Sequence, residues 1–163
     1  MKFTLDWLKD HLDTSENLNT ITDTLTNIGL EIESVEDKSE IFKNFTVAKV
    51  LKAEKHPDAD KLKVCQVETI NGNYQVVCGA PNVSEGQTVV VAPVGTNLIT
   101  STNESFKINK SKIRGIESEG MICAEDEIGV GNSHDGIIVL NKKYKIGDPV
   151  SKVYKKYQDK IFE

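Results

Sequence analysis

The stretch Thr46-Val47-Ala48-Lys49-Val50-Leu51-Lys52-Ala53-Glu54-Lys55-His56-Pro57-Asp58-Ala59-Asp60-Lys61-Leu62-Lys63-Val64-Cys65-Gln66-Val67-Glu68-Thr69 decides how this chain folds. Its ends, Thr46 to Lys55 and Leu62 to Thr69, follow a period of two, the spacing at which successive side chains point to opposite faces of a strand. Pro57-Asp58 between them is turn chemistry, because proline presets φ and aspartate bonds its own backbone. Outward from this pair the same rhythm returns at Tyr74 to Val77, Thr88 to Ala92, Phe106 to Ile113 and Ile137 to Leu140. Asn71-Gly72, Pro81-Asn82, Gly95-Thr96, Gly115 and Asp135-Gly136 punctuate the strands, and Asn71-Gly72 joins the second to the third as a hairpin.

About five main strands over roughly 100 residues predict a mainly β fold, and among small sandwiches and barrels they favour a five-stranded OB-fold barrel. The polar run Asn97 to Ser105 reads as a long surface loop between barrel strands. The two chain ends read differently. Phe3 to Leu12 predicts a short helix with Leu5, Leu8 and Leu12 on one face and Trp7 as a core anchor. Leu18, Ile21, Leu25 and Ile28 line a second helix, which Gly29 stops. Leu30 to Val35 alternates apolar residues with glutamate, as a half-buried strand does. After Gly147-Asp148-Pro149, Val150 to Tyr157 returns to a helical rhythm. The expected organisation is therefore nested: residues 1–40 begin a small α+β domain, 41–147 form the inserted barrel, and 148–163 return to the α+β domain.

Composition bounds the function. With 38 % hydrophobic residues and 11 glycines among 163, the chain can bury one full core and a small satellite, which excludes disorder, collagen and coiled coil. No stretch approaches the roughly 20 apolar residues that cross a bilayer, and Met1-Lys2-Phe3 leads into Asp6, Lys9 and Asp10 rather than an apolar signal core, so a cytoplasmic protein without membrane partners is expected. Cys65, Cys78 and Cys123 are odd in number and form no Cys-x-x-Cys pair, which argues for reduced thiols rather than disulfides or structural zinc.

The net charge of −5 argues against a nucleic-acid binder, but residues 1–40 hold 3 basic and 10 acidic groups while residues 41–147 hold 13 and 12. The excess acid thus sits in the first segment, and Lys107, Lys110, Lys112 and Arg114 run without an intervening acid. Two clusters stand out. In the first, His56-Pro57-Asp58-Ala59-Asp60-Lys61-Leu62, the turn precedes Lys61 and Lys63, which share a strand face by their spacing. Its bland reading is a solvated turn with capping aspartates. In the second, Lys112-Ile113-Arg114-Gly115-Ile116-Glu117-Ser118-Glu119-Gly120-Met121, two cations enter a glycine-bounded turn; its bland reading is an ordinary hairpin. A cysteine nucleophile paired with His11, His56 or His134 has nothing local to fix it, and free cysteines in strands are usually small buried hydrophobes. No ligand pair has metal-site spacing, and Gly115-x-x-x-x-Gly120-Met121 lacks the Lys-Ser/Thr ending of a P-loop. Nucleic-acid binding on a barrel face survives. With only 6 % aromatic residues, base stacking is a poor principal term, which favours the shape and backbone of folded RNA.

These residues resemble a known family. The first cluster, then Val77-Cys78-Gly79-Ala80-Pro81-Asn82, Lys112-Ile113-Arg114-Gly115 and Ser118-Glu119-Gly120-Met121-Ile122-Cys123, is similar to the tRNA-binding OB domain shared by several synthetases and tRNA-binding accessory proteins. Met1-Lys2-Phe3 through Trp7-Leu8 and Gly29-Leu30-Glu31-Ile32-Glu33 further resemble the amino terminus of the bacterial phenylalanyl-tRNA synthetase β subunit. The resemblance implies a tRNA-facing surface containing Lys61, Lys63, Asn82, Lys112, Arg114, Ser118, Glu119 and Met121, with Ser118 and Glu119 alternatively ordering the turn that presents Arg114, and Met121 alternatively packing in the core. It implies a place in an (αβ)2 ligase with a synthetase α subunit and further β-subunit domains. That enzyme uses ATP and magnesium at a site on the α subunit, so no cofactor and no catalytic residue is expected in this stretch, which reads as an amino-terminal piece of a longer chain. Ala124 stands where the family commonly has serine, and Asn97 to Ser105 is longer than usual and lacks a Pro-Gly. The same motifs permit two other readings: a free-standing OB homodimer binding tRNA or unfolded chains, and a protein–protein scaffold domain of the synthetase.

Overall fold

The computed structural model describes residues 1–99 and 104–163. In chain order the elements are β1 (Phe3–Thr4), α1 (Leu5–His11), α2 (Leu18–Asn27), β2 (Val35–Asp37), β3 (Thr46–His56), β4 (Ala59–Thr69), β5 (Gly72–Cys78), β6 (Thr88–Ala92), β7 (Asn97–Ile99), β8 (Ser105–Lys107), β9 (Ser111–Ile113), β10 (Ile116–Ser118), β11 (Met121–Ile122), β12 (Val139–Leu140), α3 (Val150–Val153) and β13 (Lys160–Phe162), with single 3-10 turns at Lys38–Phe42 and Lys155–Tyr157. Contacts divide the chain into Met1–Glu40 with Tyr154–Glu163, and Ile41–Val153.

The second unit is an antiparallel sheet in the order β11-β6-β3-β4-β5, with β12 also on β6. It is the mainly β, OB-like architecture that the period-two pattern predicts. β3 makes the sheet curl. Its first residues, Thr46 to Lys49, pair with β6, and Lys49 to His56 pair with β4, with a register shift at Leu51. A bulge of this kind bends a strand and tightens its twist, so one strand serves both walls of a barrel. The outer edges then approach each other: the Glu119 amide donates to the Gln75 carbonyl at 2.8 Å, and the Val77 amide donates to the Ser118 hydroxyl at 3.0 Å, joining the β10–β11 link to β5. The core within is Ala48, Val50, Cys65, Val67, Val76, Cys78, Val83, Val89, Val91, Ile122 and Ile137, small and β-branched side chains suited to a narrow barrel. All five residues of β6 are buried, as the uninterrupted Val89-Val90-Val91 run requires of a strand covered on both sides.

Several elements differ from the sequence reading. Phe106 to Ile113 is two strands, β8 and β9, because Ile108 is buried and exchanges backbone hydrogen bonds with Gly95 and Thr96, which interrupts the run. Asn97 to Ser105 is not wholly loop: Asn97, Leu98 and Ile99 pair with Lys107, Phe106 and Ser105. Its remaining central residues, 100–103, lie outside the described residues. The β3–β4 turn is tighter than predicted, since β4 already starts at Ala59, opposite His56.

In the first unit β13 pairs antiparallel with both β1 and β2. Thr4 caps α1 by accepting from the Trp7 amide, and Asn17 caps α2 by accepting from Thr20. Trp7 is not a core anchor. It is 53 % exposed, packed between the Phe3 and His11 rings, because at 3.6 residues per turn it lies about 200° round the helix from Leu5 and about 100° from Leu8, off the face that those half-buried leucines form. Leu30 to Ser34 is likewise not strand; β2 begins at Val35, where its short partner Phe162 becomes available. α3 lies within the barrel unit, with Val150 buried.

Candidate functional site

The two clusters singled out by sequence are joined by one buried side chain. His56 ends β3 and is 2 % exposed. Its Nδ1 accepts from the Asp58 amide at 3.0 Å, closing the Pro57-Asp58 turn, and its Nε2 donates to the Ile113 carbonyl at 3.0 Å, at the end of β9. An amide can only donate and a carbonyl only accept, so the network requires the neutral ring with its proton on Nε2. One imidazole thereby ties the turn that leads to Lys61 to the hairpin whose tip carries Arg114.

That hairpin is tight. Ile113 pairs with Ile116, which leaves Arg114 and Gly115 as a two-residue tip with φ of 47° and 83°. Positive φ at both positions defines the type I′ turn, whose twist matches that of the flanking strands. Arg114 is the only non-glycine with positive φ among the described residues, a conformation costing roughly 1–2 kcal/mol for a residue bearing a Cβ. The barrel thus holds a long cationic side chain where glycine or asparagine would sit at less cost.

The charges around these turns are not those of the linear sequence. Lys110 reaches Glu119 at 2.6 Å and Glu117 at 3.2 Å, and these hydrogen bonds raise the pKa of its ammonium. The four-cation run is therefore interrupted in space. Lys55 pairs with Asp60 at 2.8 Å on the surface. Lys63 is drawn inward, its Nζ donating to the Val83 carbonyl at 2.6 Å. Lys61, Lys112 and Arg114 are exposed and hold no ion pair among the described residues, so they carry the uncompensated positive charge of the two turns.

The other residues of the sequence-derived surface hold the scaffold. Ser118 is 3 % exposed and spends its hydroxyl on Val77 and Gly120. Gln75, which sequence reasoning passed over, accepts the Glu119 amide and donates through its side chain to the Glu117 carbonyl at 2.8 Å, hanging β10 on β5. Asn82 exchanges two 2.9 Å hydrogen bonds with the backbone of Ile137, so its amide pins one loop to another. Gly136 beside it has no space for a side chain: a Cβ there would lie 2.5 Å from the Asn82 Oδ1. Met121 pairs with Ala92 and lines a groove of about 530 Å³ with Phe106, Ile113, Glu127 and His134. His134 bonds Asp126 at 3.0 Å, which raises its pKa.

Burial pushes the thiol of Cys65 up to about 12 and raises those of Cys78 and Cys123 as well, so none is an activated nucleophile. Among the described residues no three His, Cys, Asp or Glu side chains gather as a metal site, and no helix is long and apolar enough to cross a membrane.

Residues 45–149 match the family model described as "Putative tRNA binding domain". The chain belongs to this family. This tRNA-binding domain, with its flanking segments, is 47 % identical over 154 residues to the phenylalanine–tRNA ligase beta subunit of Rickettsia bellii, covering 94 % of this chain and 17 % of that protein. It is 50 % identical over 149 residues to the same subunit of Rhodopseudomonas palustris, covering 90 % and 18 %. The chain thus spans less than a fifth of the length of these curated relatives. A crystal structure of a MetRS related protein from Pyrococcus horikoshii aligns with a TM-score of 0.48 and 24 % identity, covering 70 % of this chain and 95 % of that one. In the tRNA-binding domain Lys61 and Lys112 lie on strands beside the two turns and Arg114 lies at a hairpin tip, and the signal that could have shown the bridging role of His56 was its place directly before Pro57, where a ring can reach the next backbone amide.

Proposed function

We propose that the barrel unit binds folded tRNA as a module of a phenylalanine–tRNA ligase β subunit, assisting the attachment of phenylalanine to its tRNA. The reading is supported by the family match over the barrel and by the likeness to β subunits along most of the chain. The observation that carries the mechanism is the His56 bridge, which brings the turn before Lys61 and the tip bearing Arg114 to one end of the barrel. Lys61, Lys112 and Arg114 neutralise phosphates. Each such contact releases condensed counterions and contributes about 0.9 to the log–log salt slope on duplex. Lys63, Asn82, Ser118 and Glu119 act on the RNA indirectly, by holding the strands and loops from which the cations project, while Met121 forms part of the groove wall beside them. Contacts to phosphates position without reading sequence, so the module recognises the fold of tRNA rather than its bases.

In the whole enzyme, ATP and magnesium serve the aminoacylation site on an α subunit, the assembly is (αβ)2, and the compartment is the cytoplasm. Amide shift mapping with a titration of unmodified tRNA tests the reading. Shifts concentrated at residues 58–63 and 111–116, with α2 unmoved, are expected; shifts centred on the helical unit, or none at millimolar tRNA, would overturn it.

A further inference from the structure

We propose that His56 is a positioning residue for RNA binding: through its hydrogen bond to the Ile113 carbonyl it fixes the hairpin so that Arg114 and Lys61 engage the same run of phosphates. The inference rests on the tRNA-binding reading above and adds to it the device that aligns the two cations.

The β9–β10 hairpin is a two-stranded sheet of its own, outside the main barrel path. Its second strand is well anchored, through Gln75 to Glu117, Ser118 to Val77, and Glu119 to Gln75. Its first strand has one side-chain anchor among the described residues, the His56 Nε2 bond at Ile113, the residue before the tip. A ribbon held along one edge can tilt about that edge; Ile108 restrains the entry to the first strand through its backbone bonds to Gly95 and Thr96, and the His56 bond opposes the tilt at the tip end. The same ring accepts from the Asp58 amide in the turn before Lys61, and Lys61 itself lies in β4, which its ladders to β3 and β5 hold in place, so losing the ring frees the Arg114 tip alone. The φ of 47° at Arg114 fits this reading, since a tip that merely closed a hairpin would take asparagine or glycine at lower cost. Pre-organisation of this kind saves the entropy of orienting the side chains at the moment of binding.

A double-mutant cycle in tRNA binding tests it. His56→Phe keeps a flat aromatic ring, slightly larger than imidazole, and removes both hydrogen bonds; Arg114→Ala removes the cation. From a slope of about 0.9 per phosphate, losing one contact weakens binding about five-fold at 0.15 M salt. His56→Phe and Arg114→Ala each produce that loss and lower the log–log slope by about 0.9, and the double variant is no weaker than either single one. His56→Gln, which retains one acceptor and one donor, restores the slope. Effects that multiply to about 25-fold, or a His56→Phe slope equal to wild type, would overturn the positioning role while leaving tRNA binding intact; no effect of Arg114→Ala at all would instead overturn the binding surface itself. A second measurement needs no variant. Imidazole nitrogen spectra of the wild-type chain report the Nε2–H tautomer both free and with tRNA bound, and a change of tautomer on binding would also overturn the proposal.

Discussion

Replacing Arg114 with asparagine separates the stability of the hairpin from its use. Arg114 sits at φ 47° in a two-residue turn whose other position, Gly115, is at 83°. An ordinary residue there costs roughly 1–2 kcal/mol, whereas asparagine enters the left-handed region readily and, unlike glycine, adds little backbone freedom to the unfolded chain. Arg114 is exposed and has no ion pair among the described residues, so no ion pair is lost with its guanidinium. The net expectation is a gain of about 0.5–1 kcal/mol, which for a unit of this size raises the unfolding midpoint by roughly 2–5 °C. Urea unfolding followed by tryptophan-independent far-UV signal measures the first effect. A tRNA titration at 0.15 M salt measures the second, where the lost cation weakens binding about five-fold. A variant that is less stable than wild type would refute the turn assignment, and one that is more stable yet binds equally well would refute the contact.

The remaining expectations test other parts of the molecule. Gly136→Ala forces Asn82 off its two hydrogen bonds to Ile137 and costs about 1–3 kcal/mol; in an Asn82→Ala background the same change costs little, and additive losses in denaturant titrations would show that the clash is elsewhere. Cys65, Cys78 and Cys123 resist alkylation at pH 8 in the folded chain and react together on unfolding, so a thiol modified in native buffer would contradict their burial. Although burial alone would raise it, bonds from Lys160 and Ser39 hold the Asp37 carboxyl below its ordinary 3.8. A depressed folded value means that its stabilisation is full above pH 3.8 and fades as pH falls through that lower value; Asp37→Asn removes this part of the acid sensitivity, and an unchanged acid titration would refute the pairing.

The barrel was legible because a strand's pattern is local. Ala48 and Val50, and later Cys65, Val67 and Thr69, are buried at a spacing of two, and each Asn-Gly or Gly-Thr break falls where the chain turns. The elements that resisted depend on distant partners. Leu30 to Ser34 alternates as a strand does, yet strand pairing waits for the short β13, 120-odd residues away. The same holds for the site. Lys61, Lys112 and Arg114 stand out as cations in any reading, but the neutralisation of Lys110 by Glu117 and Glu119 requires the hairpin register, and the inward turn of Lys63 requires the Val83 carbonyl. His56 was visible as the head of the first cluster and as a candidate cysteine partner, but not as a bridge, because the carbonyl it bonds lies 57 positions on.

The salt dependence of tRNA binding by Lys61→Ala/Arg114→Ala probes the central claim most directly. If two separate turns deliver these cations to one stretch of phosphates, the magnitude of the log–log slope falls by about 2 relative to wild type across all tRNAs tested. A slope equal to that of the wild-type chain would contradict it.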